Sequence, residues 1–233
     1  MNKKNVLIFG GTGDLGQKVL DYFFKSKYNI VFSSTSQKMI KKTQAKYSNY
    51  EKSLIGIICN FREENDIKKV INFSYNEFKS IDVVVNCVGV FQYDNLNNLS
   101  YGRIIDIFKI NSFSLISINK FLKKRIKKND YVKVISIGSS SSYIGSKNTI
   151  VYCSSKHALQ GIIKSLNQTI YKKNILNYSI NPGTLNNKMG KKVKNISNEN
   201  LIEQEEIIKT ISYLISLNFI AVPEDIYLKR FTN

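Results

Sequence analysis

Short apolar runs alternate with longer amphipathic stretches along most of the chain. The strand-like runs are NVLIF from residue 5, NIVFS from 29, LIGIIC from 54, IDVVVN from 81, YVKVISI from 131 and LNYSI from 176. Helical patterns separate these runs, which is the βαβ rhythm of a parallel, doubly wound sheet. Runs such as VVV are continuously apolar, as expected of strands that helices cover on both faces. The pattern predicts an α/β fold with a helix, sheet and helix layer.

The length and composition predict a single domain over residues 1–233. A chain of 233 residues with 42% hydrophobic content can bury one sizeable core. No stretch rich in proline, glycine or serine marks a linker. Ligands of doubly wound sheets bind beyond the carboxyl ends of the strands, so the residues that follow each apolar run are the candidates for a site.

A glycine-rich stretch, GGTGDLG, follows the first predicted strand and opens the first predicted helix. It places Gly10, Gly13 and Gly16 at GxxGxxG spacing. These glycines permit a tight turn and a close backbone approach, and the helix N-terminus presents unpaired amides to a pyrophosphate. We therefore predict nucleotide binding here. The alternative is a turn that only packs a helix closely on a strand.

A tyrosine is followed by a lysine four residues later at three places, beginning at Tyr75, Tyr143 and Tyr152. The chain is rich in both residue types, so the spacing alone carries little information. Tyr75 falls at the polar end of the third predicted helix, and Tyr143 falls in a loop rich in serine and glycine. Only Tyr152 opens a long amphipathic pattern, in which Tyr152 and Lys156 share one helix face. That helix follows the fifth strand by one loop, which favours the Tyr152 pair as the functional one.

Polar residues also follow the fourth and fifth strands, in VVVNCVG and VISIGSSSS. The helical stretch between them carries Asn111 in an otherwise apolar middle. A buried amide needs hydrogen-bond partners, because leaving it unpaired costs roughly 1 to 3 kcal/mol. A structural hydrogen bond would meet that need as well as a functional one.

Together these motifs resemble the short-chain dehydrogenase/reductase family. The match follows, in order and approximate spacing, the glycine turn, NCVG at 86–89, Asn111, Ser139, YCSSK at 152–156 and NPGT at 181–184. It covers about the first 190 residues. The GxxGxxG spacing is that of atypical or extended members, since Asp14 stands where the commonest branch has a glycine. NCVG replaces the usual NAG, and the chain lacks the Gly-Gly ending familiar from ketoacyl reductases.

The resemblance implies hydride transfer between a nicotinamide and a carbonyl or alcohol carbon. Tyr152 would be the acid–base residue, and Lys156 would hold the nicotinamide ribose. An ammonium about 5 Å away at an effective dielectric near 20 would lower the tyrosine pKa by roughly two units, toward 8. Ser139 would donate to the substrate oxygen. Asn111 would anchor a water through which Lys156 exchanges protons with solvent.

Most of the residues predicted to contact the dinucleotide lie at or just after the ends of strands, and Tyr152 and Lys156 lie on the helix after the fifth strand. The predicted contacts are Gly10, Thr12, Gly13, Asp14, Leu15, Gly16, Ser34, Thr35, Ser36, Asn60, Asn86, Gly89, Tyr152, Lys156, Pro182, Gly183 and Thr184. Enzymes specific for NAD usually place an acid at the end of the second strand, and none appears here. Ser34, Thr35 and Ser36 offer hydroxyl donors and Lys38 a cation, so we predict a preference for NADP over NAD. Asn60 follows the third strand, where the family often has an acid beside the adenine, and it leaves that end of the nucleotide pocket uncharged. The serines and threonine could instead cap the next helix, and both roles can hold at once.

The net charge of +18 raises the possibility of a nucleic-acid partner. The lysines are scattered over solvated helix faces without aromatic interleaving, so we predict no nucleic-acid binding and no membrane association. Cys59, Cys87, Cys153 and His157 have no metal-ligand spacing, and no metal is predicted. The apolar runs are too short for a membrane span and MNKKNVLIFGG lacks the features of a signal peptide, so we expect a cytoplasmic protein.

The sequence makes a prediction for the segment after the sixth strand but leaves the substrate open. The segment from Thr184 to Asn200 has no clear apolar period and is predicted to be a mobile lid over the substrate. Sugars or polyols, ketoacyl thioesters and small ketones are all compatible substrates. The resemblance implies a homodimer or homotetramer. The alternative to an active oxidoreductase is a catalytically idle sensor or scaffold that binds a dinucleotide with the same fold.

Overall fold

The computed structural model describes residues 3–47, 54–170, 174–193, 201–219 and 221–230. Its strands are β1 (Asn5–Phe9), β2 (Asn29–Ser34), β3 (Leu54–Ile58), β4 (Val83–Asn86), β5 (Val132–Ile137), β6 (Ile175–Pro182) and β7 (Asp225–Leu228). Its α-helices are α1 (Asp14–Lys25), α2 (Gln37–Lys46), α3 (Glu64–Phe78), α4 (Tyr101–Phe108), α5 (Ser114–Arg125), α6 (Ile150–Ile170) and α7 (Gln204–Ser216). A π-helical segment, Lys109–Phe113, joins α4 to α5.

The strands form one parallel sheet in the order β3-β2-β1-β4-β5-β6-β7. The chain order reverses direction at β1, from which β2 and β3 extend one way and β4 to β7 the other. This is the doubly wound topology that the alternating pattern predicts, and the fold prediction is confirmed. The reversal places the carboxyl ends of β1 and β4 side by side, where such sheets bind their ligands.

Helices cover both faces of the sheet, and β1 shows why its run is apolar throughout. Leu7 and Phe9 face a core cluster built with α3, α5 and α6, whereas Val6 and Ile8 face a second cluster built with α1 and α7. All four side chains are at most 1% exposed. A strand between two helical layers has no solvent face, which removes the polar alternation.

The seventh strand was absent from the sequence prediction. Its residues, DIYL, pair with β6 in the register Ser179 with Asp225, but they alternate between exposed and half-buried positions. A four-residue edge strand with this weak pattern is hard to separate from a loop. None of the helices in the described part of the chain combines the length and apolar character that a membrane crossing requires.

Candidate active site

A cavity of about 590 Å³ opens at the carboxyl edge of the sheet. Its walls come from the turn between β1 and α1, the segments after β4 and β5, the first turns of α6 and the segment after β6. The volume lies within the range of roughly 300 to 1,000 Å³ that is typical of small-molecule sites. Distant parts of the sequence therefore meet where parallel strands end.

The glycine turn forms one wall of this cavity. Gly10 has a φ of +77°, which favours glycine, and a Cβ added at Gly16 would lie 2.1 Å from the Gly10 carbonyl oxygen. Gly13 caps α1 without a side-chain hydrogen bond, and residues 13–16 line the cavity. The first amides of a helix have no partner within it and attract anions. This wall fits a dinucleotide pyrophosphate.

The end of β2 lies beside the turn rather than in the cavity wall. The hydroxyl of Thr12 lies 2.7 Å from that of Ser34, and the Ser36 hydroxyl accepts a hydrogen bond from the Met39 amide at 3.3 Å. Ser36 is thus the N-cap of α2, as the alternative interpretation held. Among the described residues the Ser36 O–H donates no hydrogen bond, and Thr35 is exposed.

Asn60 also lies outside the cavity wall. Its side-chain oxygen accepts from the Arg62 amide at 3.1 Å, and its own amide donates to Asp66 at 3.0 Å. The residue therefore shapes the turn after β3, next to the end of β2.

Tyr152, Lys156 and Ser139 line the cavity together. Tyr152 is 8% exposed and Lys156 is 4% exposed, and the lysine Nζ lies 5.9 Å from the centre of the tyrosine ring. The Lys156 ammonium donates to the Ile137 carbonyl at 3.0 Å. The Ser139 side chain accepts a hydrogen bond from the Ser141 amide at 3.1 Å and lies close to the Tyr152 phenol. Tyr152 packs edge-on against Phe91, with ring centres 4.9 Å apart.

The Tyr152 pKa differs in direction from the sequence expectation. Burial raises this pKa above its usual value, against the opposing effect of the nearby Ser139 hydroxyl. Burial also lowers the pKa of Lys156 to about 8. Desolvation disfavours the charged form of both groups and is the largest cause of each shift.

The other two tyrosines with a lysine four residues later lie outside the cavity wall. The Tyr143 hydroxyl donates to Asp225 and accepts from the Gln160 amide at 2.8 Å. Tyr75 lies in the last turn of α3, as predicted, but its side chain is 3% exposed and belongs to the core. It lies near the end of α3 that precedes β4, at the opposite edge of the sheet. Of the three copies, the structure brings only the Tyr152 pair to the cavity.

Asn111 lies behind the cavity wall, in the π-helical segment. Its Oδ1 accepts from the Val90 amide at 2.9 Å, and its Nδ2 donates to the Val90 carbonyl and to the Ser155 hydroxyl, both at 3.0 Å. The side chain thus joins the segment after β4 to α6. A Cβ at Gly89 would lie 3.5 Å from the Lys156 Nζ and 3.7 Å from the Asn111 Oδ1, so the three residues meet.

The NPGT motif ends β6 and contributes Pro182, Gly183 and Thr184 to the cavity wall. Sequence reasoning missed the part played by Asn181, which is fully buried. Its Oδ1 accepts from the Ser139 amide at 3.1 Å, and its Nδ2 donates to Asp225 at 2.8 Å. Asn181 therefore orients the segment that carries Ser139. The sequence signal for this role was its position in the NPGT motif, directly before Pro182 and Gly183.

Asn86 ends β4 and is 4% exposed, with its Oδ1 accepting from the Val88 amide at 3.2 Å. It supports the NCVG turn, whose last three residues line the cavity.

The described part of the predicted lid, residues 184–193, is anchored to its surroundings. The Lys188 amide donates to the Asp14 carboxylate at 2.8 Å, and the Asn186 amide donates to the Ile202 carbonyl at 2.8 Å. Leu185 and Gly190 are buried. Residues 194–200 of the predicted lid lie outside the described residues.

Comparison with known proteins agrees with this geometry. A family model described as short chain dehydrogenase matches residues 4–197. The chain belongs to this family. As a short-chain dehydrogenase it is an NAD(P)-dependent oxidoreductase that acts on a small molecule.

Similar proteins extend over nearly the full length of this short-chain dehydrogenase. A 3-oxoacyl-(acyl-carrier-protein) reductase of Buchnera aphidicola is 28% identical over 92% of this chain and 90% of its own. Carbonyl reductase family member 4 of Xenopus laevis is 23% identical, with 91% of each chain covered. A solved structure of ElxO with NADP bound superposes with a TM-score of 0.87 at 23% identity, covering 97% of each chain.

Proposed function

We propose that this short-chain dehydrogenase interconverts a carbonyl and an alcohol, with NADPH preferred over NADH. The observation that carries the proposal is the meeting of Ser139, Tyr152 and Lys156 with the uncapped N-terminus of α1 in one cavity. A dinucleotide held on that N-terminus supplies or accepts the hydride. The chain's own residues have to bind it, orient the carbonyl and move a proton.

Tyr152 is the proton donor in the reducing direction. Burial raises its pKa, so the phenol keeps its proton until the substrate oxygen gains negative charge. Lys156, with its pKa lowered to about 8, is still mostly charged at neutral pH and stabilises the phenolate that forms. Ser139 donates to the same substrate oxygen, and Asn181 keeps the Ser139 amide in place.

Asn111 supports this arrangement from behind. By joining Val90 to Ser155 it holds the segment that carries Gly89 against α6, next to Lys156. Its predicted part in a water-mediated proton relay stays a prediction. The single domain over residues 1–233, the homodimer or homotetramer and the cytoplasmic location also stay predictions.

The preference for NADP rests on the end of β2. No acid stands there to repel a 2′-phosphate, and Ser34, Thr35 and Ser36 provide hydroxyls. The hydrogen bond between the Ser34 and Thr12 hydroxyls joins the end of β2 directly to the glycine turn. Lys38, exposed in the first turn of α2, adds a cation. Solved relatives of this fold include one with NADP bound.

The test compares the two nucleotides across a panel of carbonyl substrates. We expect kcat/KM to favour NADPH over NADH at least about tenfold, or about 1.4 kcal/mol. Lys38→Gln should lower kcat/KM for NADPH and leave NADH unchanged, because NADH has no 2′-phosphate. Lys41→Gln, which changes another exposed lysine of α2, is the matched control. Equal use of both nucleotides would contradict the cofactor assignment.

Nucleotide binding without turnover of any carbonyl or alcohol would instead support the catalytically idle alternative. Nucleotide affinity is therefore measured by NADPH fluorescence alongside the rates.

A further inference from the structure

Positive charge is in excess on the walls of the cavity. Of the described residues that line it, Lys156, Lys188, Lys192 and Arg230 are basic, and Asp14 is the one acid. Lys188 lies 3.5 Å from Asp14, so that acid already has a cationic partner. Lys192 and Arg230 make no ion pair within the described residues. Besides Lys156, which the proposed function already uses, two cations of the cavity wall are thus left without a negative partner among the described residues.

Arg230 is held at the cavity by backbone pairing and by a glycine. It follows β7, whose Leu228 carbonyl accepts from the Gly183 amide at 2.9 Å. A Cβ built on Gly183 would lie 2.9 Å from the Arg230 Cγ, so the arginine stem lies on space that only glycine leaves open. Gly183 adjoins Pro182 and Thr184 in the same wall as Tyr152. Arg230 therefore belongs to the wall of the reaction cavity.

Arg230 is half-buried and has no acidic partner among the described residues, so its guanidinium has donors available for an anion. Its planar donors match a carboxylate or phosphate with two parallel hydrogen bonds. Apolar side chains share the cavity wall, among them Phe91, Ile144 and Val193. The cavity thus suits a ligand with an apolar body and a negatively charged group.

We propose that Arg230, assisted by Lys192, binds an anionic group of the carbonyl substrate, either a carboxylate or a phosphate ester. This inference rests on the proposed function and adds the substrate class to it. Arg230 acts as a specificity residue, since it selects among carbonyl compounds and takes no part in the proton transfer.

The experiment compares carbonyl compounds with and without an anionic group, at saturating NADPH. Acetoacetate is paired with ethyl acetoacetate, and dihydroxyacetone phosphate with dihydroxyacetone. In the wild-type protein we expect kcat/KM to favour at least one anionic member about tenfold over its neutral partner. The two pairs separate a carboxylate from a phosphate as the group recognised.

The variant Arg230→Gln keeps much of the stem that lies on Gly183 but removes the charge. It should lower kcat/KM for the anionic compounds about tenfold while the neutral compounds change less than about threefold. The KM for NADPH should stay within about twofold. Lys229→Gln removes a neighbouring exposed charge that does not line the cavity and should leave all these values unchanged.

Three results would overturn the inference. Equal losses on charged and neutral carbonyls would assign Arg230 a structural role, and a raised KM for NADPH alone would assign it to the cofactor. A wild-type protein that reduces neutral carbonyls with no charge preference would also reject it, while leaving the proposed function intact. If no carbonyl is reduced at all, it is the proposed function that fails.

Discussion

Replacing Lys156 by methionine is expected to stabilise the cofactor-free protein at neutral pH and to impair its activity. The substitution keeps an unbranched side chain in a position that is 4% exposed and removes a buried charge. Activity should fall because Lys156 is proposed to support the Tyr152 phenolate and to hold the ribose. Stability rises because the folded protein no longer has to bury a cation.

The magnitude follows from the shift of the Lys156 pKa. Burial lowers it from 10.5 to about 8, a difference worth about 3.4 kcal/mol at 1.36 kcal/mol for each unit. Between these two values the unfolded chain binds more protons than the folded one, so the stability of the wild type rises with pH across this window. The advantage of methionine is therefore greatest below pH 8 and fades toward pH 10.5.

The loss of the hydrogen bond to the Ile137 carbonyl, at 3.0 Å, opposes this gain by about 1 kcal/mol. That cost and any change in packing are the same at both pH values, so the difference between two pH values isolates the charge. From about pH 7 to about pH 9.5 the advantage of the variant should shrink by about 2 kcal/mol.

Urea unfolding of wild type and variant at these two pH values measures the effect. Lys164→Met, which removes an exposed lysine of the same helix, is the control and should show no such change with pH. A free-energy difference between Lys156→Met and wild type that is independent of pH would refute the argument from burial. NADPH binding by the same variant should be weaker, because Lys156 is assigned to the ribose.

Two further substitutions test the site. Tyr152→Phe should lower the rate by about 10² to 10⁴ with nucleotide affinity nearly unchanged. Tyr143→Phe should keep the rate and lose about 0.5 to 1.5 kcal/mol of stability, since its hydroxyl hydrogen-bonds the exposed Asp225 and the buried Gln160. Steady-state rates and urea unfolding separate the two, and an inactive Tyr143→Phe enzyme would contradict the choice of tyrosine. Gly16→Ala should weaken NADPH binding in fluorescence titrations, because its Cβ would fall 2.1 Å from a carbonyl oxygen of the glycine turn. A Cβ added at Gly161, in α6, meets nothing within 4 Å, so Gly161→Ala serves as the control. Equal NADPH affinities of the two variants would contradict the close-packed turn.

Local pattern was enough to predict the framework of this protein. The apolar run of β1, the glycine turn after it and the spacing of Tyr152 and Lys156 on α6 each depend on residues close together in the chain. Periodicity reports such short-range geometry directly. The order of the motifs then identified the family, and with it the cavity at the carboxyl edge of the sheet.

Contacts between distant residues were decided by the tertiary structure alone. The Asn181 bond to the Ser139 amide, the partners of Asn111 and the approach of Arg230 to Gly183 each join elements that sequence periodicity treats separately. Strand β7 gains its place from pairing with β6 and not from its own weak pattern. The direction of the Tyr152 pKa shift likewise depends on how completely its neighbours exclude water, a property of the packed molecule that no residue carries by itself.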